Sequence, residues 1–418
     1  MRWPTSFGIL CAAVLAALLV SASAMADPIF SRTGPDAEAY GAAENYPVGR
    51  SGHLKDQRVI VGTFSHFDTL FSHHLVARPA EAAPLKRAEL PLALSYVYRG
   101  ETHTLDDYLS RHPVTGLLIA KDDTILAERY QYGRRDTDRL VSQSMAKTVT
   151  SMLVGLAVED KAIASIDDLV ETYVPALKGT EYGATPLRAL LHMSFGVAYF
   201  EDYGGSDDGA KLARGLFRRG KVDAASVVAQ FNNRTAPPGT RFYYAGIETE
   251  ILGLVVSKAI GRPLADYLRE RIWQPMGAEA DATWIVDGGG QETAYCCISA
   301  VLRDYARLGL LLAHDGVANG KQIIPRDWLI AATTVRPDDG YLAPRKMTPF
   351  YGYGYQVWLL PGPKRMFAFL GIHGQAIFVD PESQVVMVHT AVRMLASKDP
   401  AAAEMVSLWY GVLKALAH

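Results

Sequence analysis

The sequence predicts an α+β fold, an α/β sandwich in which an antiparallel sheet is flanked by helices and a mostly helical subdomain is inserted between its halves. Three observations predict it. Val114 to Lys121 and Thr124 to Tyr130 read as two strands joined at the turn signal Asp122-Asp123. A long run of helical patterns follows. The last third then changes to short segments rich in aromatic and β-branched residues, punctuated by Gly and Pro, and ends in a helical stretch. The two ends of the chain must therefore share one sheet.

Taken in order, residues 1–26 carry Arg2, an apolar run from Phe7 to Val20 and the small-x-small signal Ala24-Met25-Ala26. This pattern predicts a cleaved secretory signal peptide and export to a bacterial periplasm or beyond. A membrane anchor is the runner-up, but the run is short for a span and no charged flank stops it. Residues 27–95 are rich in Pro, Gly and Ala and predict an N-terminal extension wrapping the body, with disorder at its start. His73-His74 falls in a predicted loop and reads as surface polarity. The remaining domain spans residues 96–418, with the helical subdomain over about residues 160–290.

Within that domain Thr104 is positioned to cap a short helix over Leu105 to Ser110. After the hairpin, helical spacing at Val149, Met152, Leu153 and Leu156 predicts a helix running to about Glu159. Pro186 opens another, to Met193. An aromatic and acidic loop covers Val197 to Asp208. Helices are predicted around Ala210 to Phe217, Ala224 to Asn232, within Phe242 to Gly261, over Pro263 to Trp273, Cys297 to Leu312 and Pro325 to Thr333. Strands are predicted at Gly352 to Leu359, Met366 to Gly371, Gln375 to Asp380 and Val385 to Val392, before a helix from Ala402 to Leu416.

Composition excludes several classes. The formal net charge is -2 over 418 residues and no basic stripe suggests nucleic acid. After signal cleavage only Cys296 and Cys297 remain. Adjacent cysteines rarely pair, so a fold independent of disulfides is expected, with both acting as small apolar residues near the pocket. No His-Glu-x-x-His or paired Cys-x-x-Cys gives a metal site support, and no cofactor is expected. A Gly-x-Ser-x-Gly elbow is also missing. His192-Met193-Ser194-Phe195-Gly196 comes nearest and lacks the first glycine.

Chemistry points to Ser144-Met145-Ala146-Lys147. Positions i and i+3 share a helix face, so the hydroxyl and amine would lie side by side in a first turn whose free amides could hold an oxyanion. The motif is short and arises by chance in long chains. A serine–lysine site also needs a proton shuttle and a second oxyanion donor from a strand edge. Tyr244 is a candidate for the first. From spacing alone Phe242, Tyr243 and Tyr244 read more readily as a packed aromatic cluster. Gly371-Ile372-His373-Gly374-Gln375 is a candidate for the second, or a tight bend. Glu248, one turn beyond Tyr244, reads as a solvated or capping acid more readily than as a site residue.

The order of these motifs resembles the serine β-lactamase and penicillin-binding-protein superfamily, and within it the class C-like hydrolases that include 6-aminohexanoate-dimer hydrolases and related esterases. Leu190 to Gly196, Glu201-Asp202-Tyr203, Pro238 to Phe242, Arg303 to Arg307, Gly352 to Gln356 and Gly374-Gln375 ahead of Val379-Asp380-Pro381 carry the likeness from about Thr104 to the C-terminus. The resemblance implies a β-lactamase/transpeptidase-like fold. It implies Ser144 as acylated nucleophile, Lys147 as its proton acceptor and Tyr244 as general base and acid. It also implies an oxyanion amide near Gln375, within the stretch Ile372, His373, Gly374, Gln375, and Tyr203 as a substrate contact on a loop.

Two departures bear on substrate. Tyr244-Ala245-Gly246 lacks the Asn of Tyr-x-Asn, and Ile372-His373-Gly374 lacks the Lys of Lys-Thr-Gly. Both lost groups serve β-lactam binding in the family. The expectation is therefore a secreted serine hydrolase of small linear amides or esters. The alternatives are a β-lactamase or D-alanyl-D-alanine carboxypeptidase, and a non-catalytic penicillin-recognition module.

Overall fold

In the computed structural model, residues 26–218 and 220–417 are described. The leader predicted over residues 1–26 lies outside them apart from Ala26. Residues 27–95 are less extended than expected. They include a helix, α1 (Gln57–Ser65), whose Ile60, Val61 and Phe64 are buried, and a strand, β1 (His73–Val76). The His73-His74 doublet is on that strand rather than in a loop, and His74 Nδ1 lies 2.8 Å from Glu292 Oε1.

The Thr104 cap forms as a full capping box with Asp107 at the head of α2 (Leu105–Arg111). The hairpin follows as β2 (Val114–Lys121) and β3 (Thr124–Tyr130). Asp122 and Asp123 both adopt positive φ in the turn between them. A two-residue strand, β4 (Leu140–Val141), then leads through one 3-10 turn (Gln143–Met145) into α3 (Ala146–Glu159).

Short helices α4 (Leu187–Leu191) and α5 (Asp208–Leu216) precede α6 (Gly246–Ile260), which ends at Gly261 in the left-handed conformation. The stretch from Cys297 was expected to be helical throughout. Its first part is instead a strand. β5 (Ala282–Ile285) and β6 (Ile298–Ala300) form a small antiparallel sheet in the order β1-β5-β6-β4, and the helix α7 (Leu302–Ala313) starts only after it. An unbroken apolar run such as Cys-Cys-Ile-Ser-Ala-Val-Leu fits a buried strand or a buried helix equally.

The principal sheet takes β7 (Gly352–Tyr353), β8 (Trp358–Leu359), β9 (Phe367–Gly371), β10 (Gln375–Asp380) and β11 (Val385–Ala391) in the order β3-β2-β11-β10-β9-β8-β7. The early hairpin and the late strands thus meet at β2–β11, where Val386 opposes Ala120 and Val388 opposes Leu118. Both faces are covered, so neighbouring residues enter different cores. Leu118, Ala120, Val386 and Val388 pack with α7. Leu117, Ile119, Val385 and Met387 pack with Leu408 and Trp409 of the last helix, α8 (Ala401–Ala415). This explains why these strands read as apolar runs rather than as alternating patterns. Among the described residues, no helix is long and apolar enough to cross a membrane.

Candidate active site

The small sheet fixes the turn that carries Ser144. Ser142 N donates to Ile298 O at 2.7 Å, and Ile298 N donates to Ser142 Oγ at 3.0 Å. Gln143 sits at φ 46, and its carbonyl accepts from Cys297 N at 3.3 Å. Ser144 is left at the floor of a cavity of about 900 Å³.

Lys147, one turn on and 2 % exposed, donates to Ser144 Oγ at 2.9 Å and to Tyr295 O at 3.0 Å. Its Nζ also faces two aromatic rings, 5.0 Å from the centroid of Tyr244 and 5.5 Å from that of Tyr295. Burial pulls the Lys147 pKa down to about 8, against the opposing pull of the Glu201 and Glu250 carboxylates. Tyr244, just ahead of α6, is brought to the same place, its ring packed against Trp358 at 5.2 Å. Its phenol was expected to be acidified by cationic neighbours. Burial does the opposite and raises it, and the hydrogen bond with Ser144 only moderates the rise.

The other predicted residues divide. Tyr203 lines the cavity at φ 66, its amide held by Asp207 Oδ2 at 2.7 Å. Ile372, Gly374 and Gln375 line it too. The Gln375 side chain turns into the sheet, donating to Ala391 O at 2.7 Å. Gly371 pairs with Gln375 in the ladder, and a Cβ at Gly371 would stand 2.7 Å from Ser142 O, so glycine lets this hairpin close on the serine turn. His373 does not reach the cavity. Its ring meets Phe64 of α1 edge-on at 5.4 Å, and its Nδ1 lies 2.7 Å from Arg393 O.

Three features were not read as site features from sequence. Glu201 enters beside Lys147, with Oε2 accepting from Gly246 N at 2.7 Å, and burial raises its carboxyl. Glu248 is neither solvated nor a cap: it is fully buried, and neither carboxyl oxygen has a partner among the described residues. Cys296 and Cys297 are joined in a disulfide, contrary to expectation, with Cα atoms 3.7 Å apart. Cys297 adopts φ 74, which lets the backbone accommodate the small ring. Among the described residues, no group of His, Cys, Asp or Glu is arranged to hold a metal ion.

A family model described as beta-lactamase matches residues 104–417. The chain belongs to the beta-lactamase family. It is 26 % identical over 295 residues to the 6-aminohexanoate-dimer hydrolase of Paenarthrobacter ureafaciens, covering 68 % of this chain and 74 % of that one. Among solved structures, a Bacillus anthracis protein named for 6-aminohexanoate-dimer hydrolase activity superposes with a TM-score of 0.75 at 24 % identity, over 89 % of this chain and 98 % of its own. The penicillin binding protein of Bacillus halodurans gives a TM-score of 0.56 at 16 % identity, over 72 % and 98 %. The fold of this beta-lactamase family member is thus that of the expected superfamily. The matched span leaves α1 and β1 outside it, yet Phe64 and Phe67 pack in one cluster with Tyr132, Val141, Cys296 and Cys297 behind the serine turn.

Proposed function

We propose that this protein is an exported serine hydrolase that cleaves linear amides or esters through an acyl-enzyme on Ser144. The observation that carries the reading is the 2.9 Å contact from Lys147 Nζ to Ser144 Oγ, made by an amine whose pKa burial has brought to about 8. Near neutral pH a usable fraction of that amine is unprotonated and can act as a base. Lys147 takes the Oγ proton as Oγ bonds to the substrate carbonyl carbon. The resulting oxyanion is held by the Ser144 amide and an amide of the facing hairpin, at Ile372 or Gln375. The proton passes by way of the Tyr244 hydroxyl to the departing nitrogen or oxygen as its bond to carbon breaks. Water then attacks the acyl carbon, gives up a proton along the same path, and the Ser144 hydroxyl is restored. The raised pKa of Tyr244 suits a relay that stays protonated between transfers. Tyr203 is positioned to meet the substrate amide N–H.

A β-lactam substrate has less support. No lysine occupies position 372, 373 or 374, and the room beside Gly246 is filled by the Glu201 carboxylate. Export rests on the apolar run ahead of Ala24-Met25-Ala26, and a mature N-terminus at Asp27 in the periplasmic fraction tests it. For the chemistry, a fluorophosphonate probe should label the wild type and not Ser144→Ala. A short-chain chromogenic ester or linear anilide should turn over, and a chromogenic cephalosporin should not. Labelling that survives Ser144→Ala would sink the assignment.

A further inference from the structure

Arg393 follows β11 and lines the same cavity as Ser144, yet it is 4 % exposed. Its Nη2 donates to Tyr108 Oη at 3.2 Å and lies 3.6 Å from Met405 Sδ. Its Nε is buried with no partner among the described residues. The carboxylates on this side of the fold are committed elsewhere: Glu404 to Arg111, His112 and Tyr96, and Asp399 Oδ1 to the amide of Ala401. A buried guanidinium without a counter-ion is costly, and a protein keeps one where a ligand supplies the missing charge. The sequence makes room for it. Gly374 sits at φ 94, and a Cβ there would stand 2.9 Å from Arg393 Nε. The Ser144 turn contacts the hairpin of β9 and β10, so Arg393, at the end of β11, lies one to two strand spacings away, roughly 5–10 Å.

We propose that Arg393 binds a carboxylate carried by the substrate, so that the compounds hydrolysed are acidic esters or amides: half-esters or half-amides of dicarboxylic acids, or acyl derivatives of amino or hydroxy acids. The proposal rests on the hydrolase reading for the word substrate, but the anion site can be tested without turnover. Leu370, Ile372 and Leu395 supply apolar wall beside it, which suits a short methylene chain between the carboxylate and the scissile carbonyl.

Two measurements decide it. Calorimetric titration of glutarate into Ser144→Ala should show binding, weakened at least tenfold in Ser144→Ala/Arg393→Met and partly kept in Ser144→Ala/Arg393→Lys, which retains the charge if the methionine variant folds poorly. No binding by the parent, or equal binding by the methionine variant, overturns the proposal. Turnover of p-nitrophenyl butyrate against mono-p-nitrophenyl glutarate places the charge on the acyl side. Phenyl acetate against 3-acetoxybenzoate places it on the leaving group. In one pair Arg393→Met should lower the acid-to-neutral ratio of kcat/KM by about 30-fold. An unchanged ratio in both pairs overturns the proposal. Arg393-dependent glutarate binding without turnover of any ester would defeat the hydrolase reading and leave the anion site standing.

Discussion

Glu201 Oε2 accepts a 2.7 Å hydrogen bond from the Gly246 amide, so a loop carboxylate fills the space beside Lys147 that glycine leaves open. The carboxylate favours the charged form of Lys147 and so works against the desolvation that lowers its pKa. Activity that needs a neutral Lys147 should therefore rise with pH, with a midpoint near 8. Glu201→Gln removes the opposing charge, lets the lysine pKa fall further, and should move this acid limb of kcat/KM to lower pH by about half to one unit. A pH–rate profile of the two proteins on one neutral ester checks it, and an upward shift would contradict the electrostatic reading.

Tyr244 supplies the second prediction. Its phenol stays protonated because burial raises it, so it contributes as a relay rather than as a phenolate base. Tyr244→Phe should lower kcat by roughly a hundred- to ten-thousand-fold with a small change in KM. The acid limb near pH 8 should remain, since Lys147 sets it. Loss of that limb in the phenylalanine variant would assign the titration to the tyrosine.

Much of this was legible because the relevant signals are local. Asp122-Asp123 between two apolar runs predicts the hairpin, and β2 and β3 have the bounds the sequence suggests. The spacing that places Ser144 and Lys147 on one face needs only helical geometry. The remainder depends on residues that meet only after folding. Glu201, Arg393 and Cys297 lie far from Ser144 along the chain, and nothing within a few residues of each marks it. Glu248 in the first turn of α6 carries the usual signature of a dipole-favoured acid, whereas tertiary packing buries it. α1 is only nine residues long in a Pro- and Gly-rich stretch, and its stability comes from packing under the serine turn rather than from its own pattern.

The Cys296–Cys297 ring sits between two groups that hold the catalytic turn. Tyr295 O accepts from Lys147 Nζ at 3.0 Å, and Cys297 N donates to Gln143 O at 3.3 Å. Replacing both cysteines by serine frees the backbone between these contacts and should lower kcat by several-fold to tenfold, with a smaller effect on KM. Mass spectrometry of the peptide containing residues 296 and 297 from the untreated wild type should show a deficit of about 2 Da relative to the reduced peptide. A peptide with two free thiols would remove the premise.

The last prediction concerns stability. Glu248 is buried with both carboxyl oxygens unpartnered among the described residues, and burial holds its pKa well above the ordinary 4.5. The folded chain therefore keeps a proton that the unfolded chain releases once pH exceeds about 4.5. The stability linked to that proton is fully present below this pH and is lost as pH rises toward the folded value. Glu248→Gln keeps the shape and cannot ionise. Its Tm should match the wild type at pH 4 and exceed it at pH 8, on the order of 2 °C or more. Thermal unfolding at the two pH values checks it. A glutamine variant less stable at pH 8 than at pH 4, relative to the wild type at each, would mean that the carboxylate is ionised and paired.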